Sequence, residues 1–368
     1  MKRIKVLHIA EIDNDMAKGT STIIPQYVIQ QQCNKNFEVY FLNCNKIKLT
    51  CSCKIKNIYT PIDNKKNDVI ASIQPDLVIF HELYKVPYLK IYKYLVNKRV
   101  PYIIIPHGGM TKKAQSTKRI KKKLGNLLLF NSFFNKAKAV QYLSENEKSN
   151  TNFTKLNYFI LGNGISNIPS KNLYFQKKDK EKEFLNFIYV GRYDYLIKGI
   201  DQLLEAFFIA KQKKLKVKLL MYGKGNEKDY LLIKNYIKNN YLDDYIILNG
   251  PIYNEEKRKT ILKNDVFIQV SRTEGQPLGV MEAMSLGMPV LLSEGTGYAD
   301  IINKYKIGNQ CKTDKYDIYD KIKNIANNRQ KLKKMSENSY LYAIENYSWN
   351  EILKKSYKVY LDITKKEK

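Results

Sequence analysis

Cysteine and histidine are both scarce in this sequence. Five cysteines occur in 368 residues (Cys33, Cys44, Cys51, Cys53 and Cys311), an odd number, and four of them crowd one Lys- and Asn-rich stretch. That argues against a disulfide framework and fits a reducing cytoplasm. The only histidines are His8, His81 and His107, each beside strand-like sequence, and no second close pair follows Cys51-Ser52-Cys53. A bound metal is therefore not expected. No apolar run approaches the roughly 18 residues of a membrane-spanning helix. The opening MKRIKVLHIAEIDND reaches acids after a short apolar run, so no export signal is expected either. Acidic residues are in deficit as well. Asp and Glu number 35 against 64 Lys and Arg, a formal net charge of +29, which admits nucleic acid, an anionic membrane or a phosphorylated substrate as partner. The lysines are spread along the whole chain, so charge alone does not choose among these.

What is present is enough apolar sequence, 44%, for ordinary cores, in a chain longer than one core usually serves. Short runs rich in Val, Ile and Tyr recur between helical segments: KVLHIA, FEVYFLN, DLVIF, YIIIP, AVQYL and NYFIL, then NFIYV, VKLLMY, YIILN, DVFIQV and PVLLS. Runs too apolar for a half-wet strand, separated by helices, read as buried strands of parallel sheets. The expectation is an α/β protein of two Rossmann-like domains, at 1–165 and 185–345. A Pro-, Ser- and charge-rich linker spans 166–184, and an amphipathic helix at 346–368 packs back toward the N-terminal domain.

In open parallel sheets, ligands bind beyond the carboxyl ends of the strands. His81 follows DLVIF, His107 follows YIIIP, and Gly191 and Arg192 follow FIYV. Arg192 and Lys198 flank the glycine turn of FIYVGRYDYLIKG, and two fixed cations at a strand end suit a diphosphate. The plainer alternative is that Lys198 is one lysine among many. In SRTEGQPLGVMEAMSLGMPV, Pro277 fits a first helical turn and Gly287 the residue just past the end. Backbone N–H groups from Gly275 through Gln276, Pro277 and Leu278 to Gly279 would open toward phosphate or sugar hydroxyls, with proline itself contributing none. Glu282 lies in that helix and Glu274 in the loop before it, so both carboxylates can border one pocket as acceptors for vicinal hydroxyls.

With these motifs in order, the chain resembles the retaining GT-B glycosyltransferases of glycosyltransferase family 4. The resemblance rests on Gly19 after the first strand, PHGGM at Pro106 to Met110, and NGI at Asn163 to Ile165. It continues through GRYDYLIKG, MYGKG at Met221 to Gly225, the pair Glu274 and Glu282, and GMPV. It implies two Rossmann-like domains whose parallel sheets face a central cleft. It also implies retaining transfer of a sugar from a nucleoside diphosphate to a hydroxyl of a glycan or lipid-linked acceptor, in assembly of a capsule, exopolysaccharide or lipopolysaccharide. Arg192 and Lys198 would then meet the donor diphosphate and Glu282 the ribose. Glu274 and His107 would face the transferred sugar, while Gly19, Gly191 and Gly223 let backbone approach the donor. No cofactor is implied beyond the donor, a UDP-sugar with a GDP-sugar as the alternative.

Other readings stay open. A nucleotide-sugar epimerase or hydrolase would share the fold, and a basic nucleic-acid-binding protein would explain the charge but not the ordered motifs. Asp13-Asn14-Asp15 reads either as a metal-binding D-x-D or as turn chemistry. In KKAQSTKRIKKKLGNLLLFNSFF, Ile120, Leu124, Leu127 and Leu128 share a helical face, with Lys118, Arg119, Lys121, Lys122 and Lys123 around it. That segment is either a solvated basic face on a core-packed helix or a peripheral contact with an anionic membrane surface.

Overall fold

The computed structural model describes residues 3–15, 19–45, 47, 49–50, 54–60, 65–116, 119–151, 153, 157–166, 168–169 and 183–365. Cys51, Cys53, Lys118 and most of the expected linker lie outside these. So do the side chains of Arg119 and Lys121. The chain divides into two compact units, Met1–Gly164 with Trp349–Lys368, and Ile165–Ser348.

The first unit is built on a parallel sheet of seven strands: β1 Ile4–Ala10, β2 Phe37–Asn43, β3 Ile58–Tyr59, β4 Leu77–His81, β5 Tyr102–Ile105, β6 Ala139–Tyr142 and β7 Tyr158–Ile160. Their order is β3-β2-β1-β4-β5-β6-β7. The second unit has six parallel strands: β8 Leu185–Val190, β9 Val217–Tyr222, β10 Ile246–Asn249, β11 Val266–Gln269, β12 Val290–Ser293 and β13 Gly308–Cys311. Their order is β10-β9-β8-β11-β12-β13. Every residue of β4, β5, β11 and β12 is buried. This explains why these strands read as unbroken apolar runs, since crossover helices cover a parallel sheet on both faces. In each sheet the winding reverses once, between β1 and β4 and between β8 and β11, and such a switch point leaves a crevice at the strand ends.

Two strands escape sequence reading. β3 is a two-residue edge, and β13 reads GNQC, too polar to register as a strand, yet it pairs in register with β12. Gly308 makes that pairing possible, because a Cβ there would lie 1.9 Å from the Val290 carbonyl oxygen.

The last helix, Trp349–Thr364, belongs to the first unit. Its apolar stripe of Trp349, Ile352, Leu353 and Tyr360 is buried. Trp349 packs on Tyr27 with ring centres 5.2 Å apart. A buried chain then fixes the helix axially, for the Tyr360 hydroxyl donates to Gln141 Oε1 and pairs with the Tyr27 hydroxyl, both at 2.9 Å. Gly164 lies so close to the indole that a Cβ would approach Trp349 Cδ2 to 2.4 Å.

The basic segment differs from a core-packed helix. Helices Lys112–Ser116 and Arg119–Gly125 are followed by a π-helical turn, Asn126–Phe130, before Asn131–Lys136. The wide turn points Phe130 inward and leaves Leu127, Leu128 and Leu129 outside. Ile120, Leu127 and Leu128 are each more than 70% exposed, and Leu124 more than half. Lys123 is exposed, whereas Lys122 turns inward, donating to the Ala114 carbonyl and lying over the Tyr84 ring. Among the described residues no helix is long and apolar enough to cross a membrane.

Candidate active site

In the second unit, the polar groups gather at the β8/β11 switch point. Arg272, just past β11, forks onto Asp201 with Nη1···Oδ1 and Nη2···Oδ2 distances of 2.7 and 2.6 Å. Its Nη1 also donates to the Leu196 carbonyl, and its backbone N–H to that of Ile197. Burial alone would raise the Asp201 carboxyl, but the Arg272 fork and the hydrogen bonds from Gln202 together hold its pKa below the usual value. Asp201 opens the helix Ile200–Gln212, so the clamp ties the loop after β8 to the loop after β11. Gly199 lets these loops touch. Its φ is +66°, and a Cβ would fall 2.1 Å from the Val270 carbonyl oxygen.

The clamp brings Lys198 onto Glu274. Lys198 Nζ lies 2.5 Å from Glu274 Oε1, and the two side chains are only 16% and 14% exposed. The same oxygen accepts from Gln269 Nε2 at 2.8 Å and Ser271 Oγ at 2.7 Å. All three donors converge on Oε1, which leaves Oε2 as the oxygen without a hydrogen-bond partner among the described residues. A charge this enclosed is held by hydrogen bonds and a counter-ion together, which fixes its rotamer before any ligand arrives.

Arg192 stands apart from that cluster. Its side chain is 55% exposed and pairs with Asp194 at 3.3 Å, while Tyr189 Oη donates to its carbonyl at 2.8 Å. Gly191 and Gly223 meet across the β8 and β9 ends, where a Cβ on Gly223 would lie 2.0 Å from the Gly191 carbonyl oxygen. Gly275 and Gln276 continue the loop after β11. Pro277 is the N-cap of the helix Leu278–Ser285 rather than a residue of its first turn, and Gly287 follows the helix with φ of +67°. Val280 and Met281 donate back to the Pro277 carbonyl. That leaves the N–H groups of Leu278 and Gly279 without an intrahelical acceptor. Gly279 sets the helix start against β8, since a Cβ would lie 2.9 Å from the Val190 carbonyl oxygen. Glu282 is ion-paired with Lys257 of the helix Asn254–Leu262, and not with the Glu274 cluster.

In the first unit, His107 follows β5 with φ of +49°, a left-handed conformation uncommon for a residue with a side chain. Glu147 holds that loop. Its buried carboxylate accepts from the Gly108 N–H at 2.5 Å and the Leu143 N–H at 2.7 Å. Burial pushes the Glu147 carboxyl up, against the two backbone donors. His107 Nε2 lies 2.9 Å from His81 Nδ1, and His81 Nε2 lies 2.9 Å from His8 Nδ1. Burial lowers His8 and His107 to about 4 and His81 well below its usual value, so all three rings are neutral at pH 7. Gly19 begins the helix Gly19–Gln32, and a Cβ there would meet nothing within 4 Å. Asp13 Oδ1 accepts from the Asp15 N–H and from Ser21 Oγ, the turn arrangement. Among the described residues no group of three His, Cys, Asp or Glu is placed to hold a metal.

The structure thus joins Lys198 to Glu274 and leaves Arg192, Glu282 and His107 with partners of their own. Sequence reading missed Arg272, Asp201, Gln269, Ser271, Lys257 and Glu147. Glu147 alone carried a local signal, for Ser144-Glu145-Asn146-Glu147 has the spacing of a capping box, with Ser144 Oγ accepting from the Glu147 N–H at 3.1 Å.

Residues 170–342 match the family described as Glycosyl transferases group 1. The poly(ribitol-phosphate) alpha-N-acetylglucosaminyltransferase of Staphylococcus aureus is 28% identical over 195 residues, 52% of this chain and 39% of that protein. The chain spans about two fifths or less of the curated relatives it matches. Among solved structures, sucrose-phosphate synthase from Thermosynechococcus elongatus superposes with a TM-score of 0.73 at 16% identity, covering 98% of this chain and 99% of that one. Anabaena HepE in complex with UDP and glucose gives 0.72 at 14% identity, covering 98% and 100%. At such identities the likeness shows the fold, two parallel-sheet domains of the GT-B type. Over residues 170–342, a little under half of its length, the chain is thus similar to the glycosyl transferases group 1 family.

Proposed function

We propose that this protein transfers a sugar, with retention, from a nucleoside-diphosphate sugar to a hydroxyl of a glycan or lipid-linked acceptor in cell-surface polysaccharide assembly. The observation that carries the reading is the Lys198–Glu274 pair at the β8/β11 switch point, beside a helix start with unspent N–H groups. In the donor, the transferred sugar and the β-phosphate are separated by one bridging oxygen. A cation for the phosphate and a carboxylate for a sugar hydroxyl therefore belong side by side. Lys198, with Arg192 and the N–H groups of Leu278 and Gly279, stabilises the charge that develops on the departing diphosphate. Glu274 accepts a sugar hydroxyl at Oε2, His107 is assigned to a hydroxyl of the ligand, and Glu282 accepts from the ribose hydroxyls. No side chain is assigned as a nucleophile, and the leaving phosphate takes the acceptor proton. The name of the staphylococcal relative, an N-acetylglucosaminyltransferase of poly(ribitol-phosphate), supports the polysaccharide setting.

Thermal unfolding with UDP, GDP, ADP and CMP tests the donor class. UDP at 100 times its dissociation constant adds about 2.7 kcal/mol, and the gain survives excess EDTA. If no nucleoside diphosphate raises the melting temperature, the donor assignment fails.

The acceptor side has its own support in the exposed leucines. We assign Ile120, Leu124, Leu127 and Leu128, with Lys123 and the neighbouring basic residues, to an anionic bilayer surface. The apolar side chains enter the interface while each cation contributes about 1 kcal/mol near an anionic leaflet. Lys122 is not counted, since its ammonium is engaged within the protein. Co-sedimentation with vesicles rises with phosphatidylserine content, falls with salt, and falls in Leu127→Ser/Leu128→Ser, whose exposed positions leave folding intact. Equal binding to neutral and anionic vesicles contradicts this.

A further inference from the structure

The three histidines of the chain are consecutive links of one buried hydrogen-bonded row, which ends on a glutamine. His8 and His81 are fully buried and His107 is partly exposed. Neighbouring rings stack with centres 5.2 Å apart in both pairs. His8 Nε2 lies 2.6 Å from Gln31 Oε1, on the helix Gly19–Gln32. Among the described residues, Nδ1 of His107 is the one of the six ring nitrogens without a hydrogen-bond partner. The Gln31 amide is also fully buried, and its Nε2 has no partner among the described residues.

A neutral imidazole has one N–H and one bare nitrogen, so each ring in such a row must donate on one side and accept on the other. Reversing a single ring would set two N–H groups, or two lone pairs, against each other in a buried site. The tautomers are therefore fixed together from the closed end. Gln31 Oε1 can only accept, so His8 Nε2 donates and His8 Nδ1 accepts from His81 Nε2. His81 Nδ1 in turn accepts from His107 Nε2, and His107 Nδ1 is left bare.

We propose that Gln31, acting through His8 and His81, is a positioning residue that holds His107 as a hydrogen-bond acceptor at Nδ1, ready for a hydroxyl of the ligand. This rests on the proposed assignment of His107 to a hydroxyl of the ligand. Gln31 spends its carbonyl on His8 and leaves its own N–H groups unpaired. Turned over, the same amide would reverse every link and make His107 Nδ1 a donor.

With only three histidines, imidazole 15N spectra of the whole protein labelled at histidine resolve each ring. The expected result is that all three rings carry their proton on Nε2 and do not titrate between pH 6 and pH 8. Gln31→Leu, which removes the acceptor but keeps the volume, moves part of the His107 population to the Nδ1–H form and raises the donor KM more than it lowers kcat. A wild-type His107 protonated on Nδ1 overturns the proposal, as does a Gln31→Leu spectrum identical to wild type. Should Gln31→Leu not fold, the wild-type spectrum decides alone. The spectra need no sugar, so the expected tautomers in a protein that binds no nucleotide sugar would overturn the donor reading and leave the histidine row standing.

Discussion

Lys198→Ala lowers turnover by about 100- to 1,000-fold, the range for removing one fixed donor from a developing negative charge. The lysine meets this condition because it is immobilised before the donor binds. Its ammonium is enclosed, 2.5 Å from Glu274 Oε1, and the loop that carries it is clamped by the Arg272–Asp201 fork. An immobilised cation needs no reorganisation when the diphosphate departs, whereas a mobile surface lysine would. The same enclosure means that the substitution costs stability as well. Glu274 loses its counter-ion and keeps only Gln269 and Ser271, and an under-compensated buried carboxylate costs on the order of 1–3 kcal/mol. Arg192→Ala separates the two effects. Its side chain is more than half exposed and its pair with Asp194 is a surface one, worth about 0–1 kcal/mol to folding. Its loss therefore appears in turnover with little change in melting temperature. Steady-state rates on a UDP-sugar, measured beside melting curves, check both. Wild-type turnover in either folded variant contradicts the assigned role.

How much of this was legible in the sequence depends on whether a signal is local. The buried strands were, because LVIFH or VFIQ is too apolar to lie anywhere but between covering helices. β13 was not, since GNQC becomes a strand only through its partner β12 and a glycine that tolerates the Val290 carbonyl. At the site, Arg192 and Lys198 flank a turn that follows a strand, and Glu274 and Glu282 flank a helix start, so each could be found from its neighbours in sequence. The groups that fix them could not. Asp201 meets Arg272 across 71 positions, and Gln31 meets His8 across 23. Neither pairing has a spacing rule, because the sheet order brings them together. The exposed leucines show the converse case. Their helical spacing was plain, but whether that face met the core or the solvent was decided by the π-helical turn, which no local pattern announced.

The central claim is that two carboxylates eight residues apart read opposite ends of one nucleotide sugar, Glu282 the ribose and Glu274 the transferred sugar. Their different partners in the structure, Lys257 for one and Lys198 with Gln269 and Ser271 for the other, fit two separate tasks. Calorimetric titration of bare UDP into wild type, Glu282→Ala and Glu274→Ala tests this most directly. Glu282→Ala should weaken UDP by about 1–3 kcal/mol, leaving the ribose hydroxyls without their acceptor, while Glu274→Ala binds UDP as wild type does and loses its preference for the UDP-sugar. Equal losses in the two variants, or a folded Glu282→Ala protein that binds UDP with undiminished affinity, would contradict the account.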